Sequence, residues 1–313
     1  MGGGSIKTAD TLLTRTLDIH NLARAWQAVE ENGGISGTDH VSIQVWRRNW
    51  EERLINLSRA VHGHTYKPQK LRERRIPKSS PGEFWVLKIP TVTDRVLQRA
   101  AAQILIPLFE TMFLDCSYGY RPQRGLQQAL QAILVHRVNN RRWVLDADID
   151  ACFDSIDHEL LLRFLESDLP DDSLIPLIQS WLGVCGTSTS RGIPQGSPIS
   201  PLLSNVYLHR LDLALTQSGW KLVRYADDFI ILDEDQQQIQ RACDQARTAL
   251  NEISLRLDPV KTSIISFEQG FTFLGIHFYQ DSYEYVWEKK TIHVEGDEVD
   301  WLFSHYGPEG YSS

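Results

Sequence analysis

The chain has 313 residues, of which 42% are hydrophobic and 23% are charged, a composition that excludes a disordered protein and allows a sizeable core. No apolar run approaches the ~20 residues of a spanning helix, and the four cysteines form neither a disulfide framework nor a zinc pattern, so we expect a cytoplasmic protein that does not bind a membrane. The net charge of -8 excludes a uniformly basic surface, so any phosphate-binding surface must come from local clusters.

Two segments are locally basic despite the acidic total. Their cations are Lys67, Lys70, Arg72, Arg74, Arg75 and Lys78 in the first, and Arg121, Arg124, Arg137, Arg141 and Arg142 in the second. Each run taken alone could equally be a solvated face. Between Asp146 and Asp172, ten acidic residues accompany a single arginine, Arg163, a pattern typical of a metal site beside an acidic helix.

The first half of the chain predicts helices and one hairpin. Residues 1–17 are expected to be a tail with an added Gly-rich leader, and residues 18–31 have apolar positions at helical spacing. Two β-like runs, 74–77 and 84–89, flank the turn-forming residues 79–82, and 126–138 predicts a further helix. The hairpin would project the basic residues into solvent.

The second half predicts strands that carry carboxylates. Residues 143–150, WVLDADID, alternate between polar and apolar, so a strand would place Asp146, Asp148 and Asp150 on one face. Residues 222–224 and 229–232 are β-rich and predict a tight hairpin with carboxylates at its tip. Helices and strands alternate along the chain, which predicts an α+β fold with an antiparallel sheet backed by helices.

The carboxylates predict a two-metal phosphoryl-transfer site. Asp148 on one strand, with Asp227 and Asp228 on a hairpin, would supply the hard oxygen ligands that Mg²⁺ prefers, and the carbonyl of Ile149 could add another. We therefore expect two Mg²⁺ ions, with Mn²⁺ as a substitute. A solvated turn is the usual explanation for an Asp-Asp pair alone, but the flanking apolar strands and the upstream Asp-x-Asp strand favour a site.

A Gly- and Pro-rich element lies between these carboxylates in sequence. It reads RGIPQGSP at 191–198 and precedes a helical run to residue 213. Gly196 allows close backbone approach, and Gln195 at a helix entrance could contact a nucleotide or the template. The alternative is a Pro-rich connector.

Together these motifs resemble, in order and spacing, a reverse transcriptase of the group II intron-like bacterial class. The matching segments are residues 32–39, 89–96, 118–122, 148–158, 193–198, 225–228 (YADD), 257–262 and 273–275. The resemblance implies a polymerase right hand. Residues 18–142 would be mainly fingers, residues 143–278 mainly palm, and residues 279–313 a short aromatic-rich tail, with the thumb absent or reduced.

The resemblance also implies residue roles. Asp148, Asp227 and Asp228 would be catalytic metal ligands, and Phe153 would exclude a ribose 2′-hydroxyl, so that the product is DNA. The other implied roles are contact with the incoming dNTP by Gln195 and Lys261, and contact with primer or template by Tyr225, Gly196 and Arg121.

The sequence departs from the family in the fingers hairpin, where a basic residue usually precedes the Ile-Pro-Thr run and the matching stretch here, residues 84–88, reads FWVLK. Lys78, Arg75 or Lys88 would then contact the triphosphate. The RPQRG segment at 121–125 and the short tail are similar to reverse transcriptases associated with CRISPR adaptation, which act beside an integrase. The expected partners are an RNA template, a DNA or RNA primer, dNTPs and such an integrase or another adjacent protein. The alternatives are an inert polymerase-like binding module and an intron maturase-type enzyme.

Overall fold

The computed structural model describes residues 10–77, 84–184, 190–300 and 303. The chain forms two compact units, each built from two segments: Met1–Met112 with Ile156–Val206, and Phe113–Ser155 with Tyr207–Ser313. These units interleave along the chain, whereas the regions expected from the sequence were contiguous. In the described ranges, no helix has both the length and the apolarity to cross a membrane.

The first unit contains helices and one antiparallel hairpin. Its elements are α1 (Leu12–Thr16), α2 (Ile19–Asn32), α3 (Ile43–Arg47), α4 (Trp50–His62), β1 (Arg72–Pro77), β2 (Phe84–Ile89), α5 (Val92–Glu110), α8 (His158–Asp168) and α9 (Ile175–Gly183). The predicted hairpin is confirmed, with Arg75 opposite Val86, while its turn at 78–83 lies outside the described residues. Helix α1 lies within the segment expected to be a tail, and its Leu12 is buried.

Side chains cap several helices of this unit. Asp18 caps α2 by accepting from the amides of His20 and Asn21. Thr91 caps α5 by accepting from the amide of Asp94. Asp157 caps α8 by accepting from the amide of Leu160, while Asp154 and Ser155 belong to a separate helical turn.

The second unit contains two four-stranded antiparallel sheets with helices against them. Its elements are α6 (Leu126–Val138), β3 (Trp143–Asp148), α7 (Cys152–Ser155), β4 (Lys221–Tyr225), β5 (Asp228–Asp233), α11 (Gln236–Glu252), β6 (Ser263–Ser266), β7 (Phe271–Phe273), β8 (Ile276–Tyr279), β9 (Ser282–Trp287) and β10 (Lys290–Glu295). Helix α10 (Ser200–Gln217) belongs to the first unit up to Val206 and to the second unit from Tyr207. The predicted α+β class with antiparallel sheets is confirmed.

The first sheet has the strand order β4-β5-β3-β6. Residues Phe229 to Leu232 of β5 are fully buried, and α11 packs against β3, β5 and β6 while α6 packs against β4. The prediction that the strand would extend to residue 150 was wrong. Strand β3 ends at Asp148, and Asp150 lies in an exposed turn, so only Asp146 and Asp148 share the strand face.

The second sheet has the order β10-β9-β8-β7 and includes residues expected to be a tail. Tyr283 and Tyr285 are buried in the core of the unit, so this part of the expected tail packs as a strand of the sheet. Arg137 of α6 binds this sheet: its Nε donates to Asp297 at 2.5 Å and its Nη1 to the carbonyl of Ser282 at 3.0 Å. Trp301 and Tyr306 lie outside the described residues.

Candidate active site

The YADD segment forms the predicted hairpin between β4 and β5. Tyr225 pairs with Asp228, which leaves Ala226 and Asp227 as a two-residue turn. Ala226 has a φ of +56°, as the tightest hairpin turns require at their first central residue. An alanine in this region costs on the order of 1 kcal/mol, so the surrounding contacts must hold the turn in place.

Strand register brings two of the predicted carboxylates together. Asp148 ends β3 directly opposite Asp228, the first residue of β5. Like charges at opposed positions repel, so one carboxyl tends to keep a proton. Burial raises the pKa of Asp228 to about 7, with a hydrogen bond shared with Asp148 and the charge of Asp227 adding to the shift.

Two further carboxyls belong to the same cluster. Burial, followed by the charge of Asp148, raises the pKa of Asp227. Burial and the charge of Asp148 also raise the pKa of Asp146 to about 6. All four carboxyls lie in the second unit, so this fold unit concentrates negative charge by itself.

Lys261 contacts this cluster directly. Its Nζ lies 2.8 Å from Oδ2 of Asp148 and 3.9 Å from Oδ2 of Asp258. The hydrogen bond to Asp148 is the largest cause of the raised pKa of Lys261. Oδ1 of Asp258 accepts from the amides of Val260 and Lys261, which fixes the turn that carries the lysine. The predicted nucleotide-binding lysine therefore lies at the carboxylates.

The donor chemistry of the cluster fits Mg²⁺, because carboxylate oxygens dominate and a divalent cation favours their charged forms. Two backbone bonds, from the amide of Asp150 to Arg256 and from the amide of Asp258 to Asp148, flank Ile149 without using its carbonyl. Across the described ranges no three His, Cys, Asp or Glu side chains close around one point.

An aromatic pair lies beside the carboxylates. The ring of Phe153 meets that of Tyr120 edge to face, with centroids 6.4 Å apart. Burial raises the pKa of Tyr120, and the nearby Asp227, Tyr225 and Asp228 raise it further. Tyr120 is thus a site residue that the sequence reasoning did not assign, although it lies in the recognised segment 118–122.

The 118–122 segment requires a glycine at position 119. A Cβ added at Gly119 would lie 2.5 Å from the backbone nitrogen of Ala226 and 3.1 Å from the carbonyl carbon of Tyr225. Real Cβ atoms essentially never approach another heavy atom to 2.5 Å, so only glycine allows the segment to pack against the hairpin turn without a shift.

Arg121 requires a correction. It was expected to contact primer or template, but its side chain is buried, and its Nη1 donates to the carbonyls of Leu114 at 2.6 Å and Ser117 at 2.9 Å. The guanidinium also lies over the ring of Phe113, 5.3 Å from its centroid. Because Arg121 is buried and donates to carbonyls of its own loop, its guanidinium does not face solvent where a template could bind.

The remaining predicted residues lie in the first unit. The carbonyl of Gln195 accepts from the amide of Lys88 at 2.8 Å, which binds the Gly- and Pro-rich element to β2. Oγ of Ser197 donates to Oε1 of Gln98 at 2.9 Å, and Gly196 has a φ of +110° that favours glycine. Arg75 is exposed on β1, and Lys78 lies outside the described residues.

Residues 76–278 match the family described as reverse transcriptase (RNA-dependent DNA polymerase). The chain belongs to this family. The match includes every carboxylate of the cluster, together with Tyr120, Phe153, Gln195 and Lys261.

Individual relatives agree with the group II intron-like resemblance. Over 186 residues the chain is 35% identical to the group II intron-encoded protein LtrA of Lactococcus lactis subsp. cremoris, which covers 58% of this chain and 31% of LtrA. The chain therefore spans about a third of the length of that relative.

Two solved structures are similar to this chain. Telomerase from Candida tropicalis is 12% identical, with a TM-score of 0.56 over 76% of this chain and 52% of that chain. A chain in a structure titled as a partial Cas6-RT-Cas1–Cas2 complex is 30% identical, with a TM-score of 0.47 over 78% of this chain and 42% of that chain. The telomerase comparison shows the polymerase fold alone.

Proposed function

We propose that this protein is an RNA-directed DNA polymerase that extends a primer 3′-hydroxyl with dNTPs on an RNA template. The observation that carries the proposal is the register that sets Asp148 opposite Asp228, with Asp227 at the adjoining turn. Family membership supports the reaction class, since phosphoryl transfer depends mainly on positioning and charge stabilisation.

The residues of the cluster would have different roles. Asp148, Asp227 and Asp228, with the carbonyl of Ile149, would hold two Mg²⁺ or Mn²⁺ ions. When bound, these ions stabilise the attacking and leaving oxygens of an in-line displacement. Lys261, whose side chain is largely exposed, would move from Asp148 to the triphosphate and stabilise its developing charge.

Selection of the nucleotide would fall to other residues. Phe153 would exclude the ribose 2′-hydroxyl, with Tyr120 packed against its ring. Gln195 and Gly196 would contact the nucleotide or template, and Tyr225 would contact the primer end. Arg75 and Lys78 would supply cations for the triphosphate or for the template backbone.

A primer-extension assay tests this proposal. Purified protein with a primed RNA template, dNTPs and Mg²⁺ should extend the primer, and Asp227→Ala should abolish extension. Asp233→Ala is the matched control, because Asp233 lies on the same hairpin strand opposite Trp143, five residues from Asp228, and should leave extension intact. Full activity in Asp227→Ala would contradict the site.

Rival activities give different results in the same assay. A polymerase-like binding module would retain the RNA but show no extension under any divalent ion. A terminal transferase would extend the primer without template. Dependence on both template and primer would exclude these two alternatives.

We also propose a role in acquiring CRISPR spacers from RNA, beside an integrase that acts on the DNA product. Its support is the resemblance of the RPQRG segment at 121–125 to reverse transcriptases of that type. Genes for an integrase next to this one, and copurification of the two proteins, are the expected results. Flanking intron RNA would instead favour an intron maturase-type role.

A further inference from the structure

Strand β4 carries a fully buried arginine one residue before the YADD motif. Arg224 and Asp212 of α10 are both 0% exposed, and they form a two-pronged ion pair: Nε to Oδ1 and Nη2 to Oδ2, each at 2.6 Å. Asp212 belongs to the part of α10 in the same unit as the hairpin. Because both oxygens of Asp212 are occupied, the guanidinium plane is fixed.

The same guanidinium reaches the hairpin turn. Nη1 donates to the carbonyl oxygen of Ala226 at 2.8 Å, and Nη2 donates to Oγ of Ser117 at 2.8 Å. Ala226 is the residue with positive φ, so its carbonyl defines the direction in which the chain enters Asp227. One side chain thus binds helix α10, the 116–118 segment and the turn together.

The backbone of Arg224 is fixed as well. Its amide donates to the carbonyl of Cys116 at 2.7 Å, and its carbonyl accepts from the amide of Tyr118 at 2.8 Å. The 116–118 segment therefore lies beside β4 as an extra edge, next to Gly119. The position of the guanidinium leaves little freedom for the turn that it contacts.

A buried ion pair is weak evidence for stability, because well-packed apolar replacements often stabilise a protein as well or better. Apolar side chains could fill this space, but they could not donate to the Ala226 carbonyl. The distinctive feature of the arginine is therefore its bond to the turn.

We propose that Arg224, oriented by Asp212, is a positioning residue that holds the Ala226 carbonyl and thereby fixes Asp227 and Asp228 for joint action. The effect of Arg224 on primer extension rests on the proposed function. Its effect on the conformation of the hairpin turn does not depend on that function. The pair acts through the turn, and neither side chain is assigned a contact with substrate.

The test uses a double variant of the full chain that carries both Asp212→Leu and Arg224→Met. These side chains fill the space of the ion pair with apolar atoms. Thermal unfolding should stay within about 5 °C of wild type. Amide hydrogen exchange of a peptide covering residues 224–229 should accelerate at least about tenfold. The extension rate should fall about 100-fold, and the Mg²⁺ concentration for half-maximal rate should rise about tenfold.

Arg224→Lys is the second variant if the double variant does not fold. The lysine keeps the charge beside Asp212, but one ammonium cannot reproduce the two-pronged pair and the bond to the turn. We expect faster exchange in 224–229 here as well. Wild-type exchange in that peptide, in either folded variant, would overturn the proposal.

Arg137→Met is the matched control, since Arg137 is also a buried arginine of this unit, paired with Asp297. It should lower the melting temperature yet leave exchange of 224–229 and the Mg²⁺ requirement unchanged. If wild-type protein fails to extend primers, the proposed function fails, while hydrogen exchange still tests the role of Arg224. Extension and exchange near wild type in the double variant would refute only the role of Arg224.

Discussion

The sheet formed by β7–β10 and the sheet formed by β3–β6 both have acidic residues at their edges, but these residues have different partners. Beside β7–β10, Arg142 pairs with Glu268 at 3.0 Å and Asp281 at 2.9 Å, and Arg137 pairs with Asp297. Carboxylates beside the second sheet are thus paired with arginines of the chain itself.

In the β3–β6 sheet, by contrast, four carboxyls gather around one lysine. Burial, together with the charge of neighbouring carboxylates, raises the pKa values of Asp146, Asp227 and Asp228, and Lys261 forms its ion pair in this cluster with Asp148. Local charge balance is a feature of stable structure, and its violation marks a site that needs an external cation. Within one unit, the contrast distinguishes a sheet whose neighbouring carboxylates pair with arginines from the sheet that carries the candidate active site.

Removing a carboxylate from the β3–β6 sheet should have the largest effect on primer extension. Asp228→Asn should lower the primer-extension rate about 10³-fold, because charge stabilisation at the reacting phosphate is lost. The same change should raise the free energy of unfolding by about 0.5 to 1 kcal/mol, because it removes a like charge opposite Asp148. Steady-state extension and denaturant titration measure the two effects. Asp297→Asn, in the other sheet, should lower stability and leave extension intact.

Crowding the hairpin turn should have the next largest effect. Gly119→Ala places a Cβ 2.5 Å from the nitrogen of Ala226, so the turn must shift. We expect about a 100-fold slower extension, as misplacement by about 1 Å can cause. Gly183→Ala is the control, because a Cβ at that position meets nothing within 4 Å. Equal rates for the two alanine variants would contradict the packing argument.

The raised pKa values predict a pH-dependent stability that Mg²⁺ reverses. Since Asp228 and Asp146 have folded-state pKa values of about 7 and 6, above the ordinary value of 3.8, the stability that they contribute is complete at low pH and is lost as pH rises through 6 and 7. The melting temperature without divalent ions should therefore fall from pH 5 to pH 8.

Calorimetry with and without Mg²⁺ checks this prediction. Mg²⁺ should raise the melting temperature by roughly 2 to 4 °C at pH 8 and by less at pH 5, because protonated carboxyls bind the ion poorly. Asp228→Asn should flatten the pH profile. A profile that rises from pH 5 to pH 8 in the wild type would contradict the assignment.

The smallest effect should come from removing an arginine beside the β7–β10 sheet. Arg142→Ala removes partly exposed ion pairs to Glu268 and Asp281, which together contribute about 1 kcal/mol or less. Denaturant titration should show this small loss, reduced further in high salt, with no change in extension. A large activity loss would show that the two sheets are coupled more tightly than their charge partners indicate.

Much of the fold followed from local pattern. Helix α6 was predicted from residue 126 to 138 and is observed as Leu126–Val138, because its apolar spacing and flanking turns are local signals. The YADD hairpin followed from two apolar runs around a two-residue turn. The start of α8 does not follow from local pattern, because Asp154, Ser155 and Asp157 can all cap a helix; Asp154 and Ser155 lie in the separate turn α7, and Asp157 is the cap.

The sequence by itself determined the order of elements, the family and the three candidate aspartates, because strand alternation and motif spacing act over a few residues. Only the tertiary structure decided which arginine serves which purpose. Arg121 binds carbonyls of its own loop, Arg137 binds the second sheet, and Arg224 binds the active-site turn. The reason is physical: a buried guanidinium takes its role from the acceptors that surround it, and here those acceptors come from as near as two residues away to as far as 160.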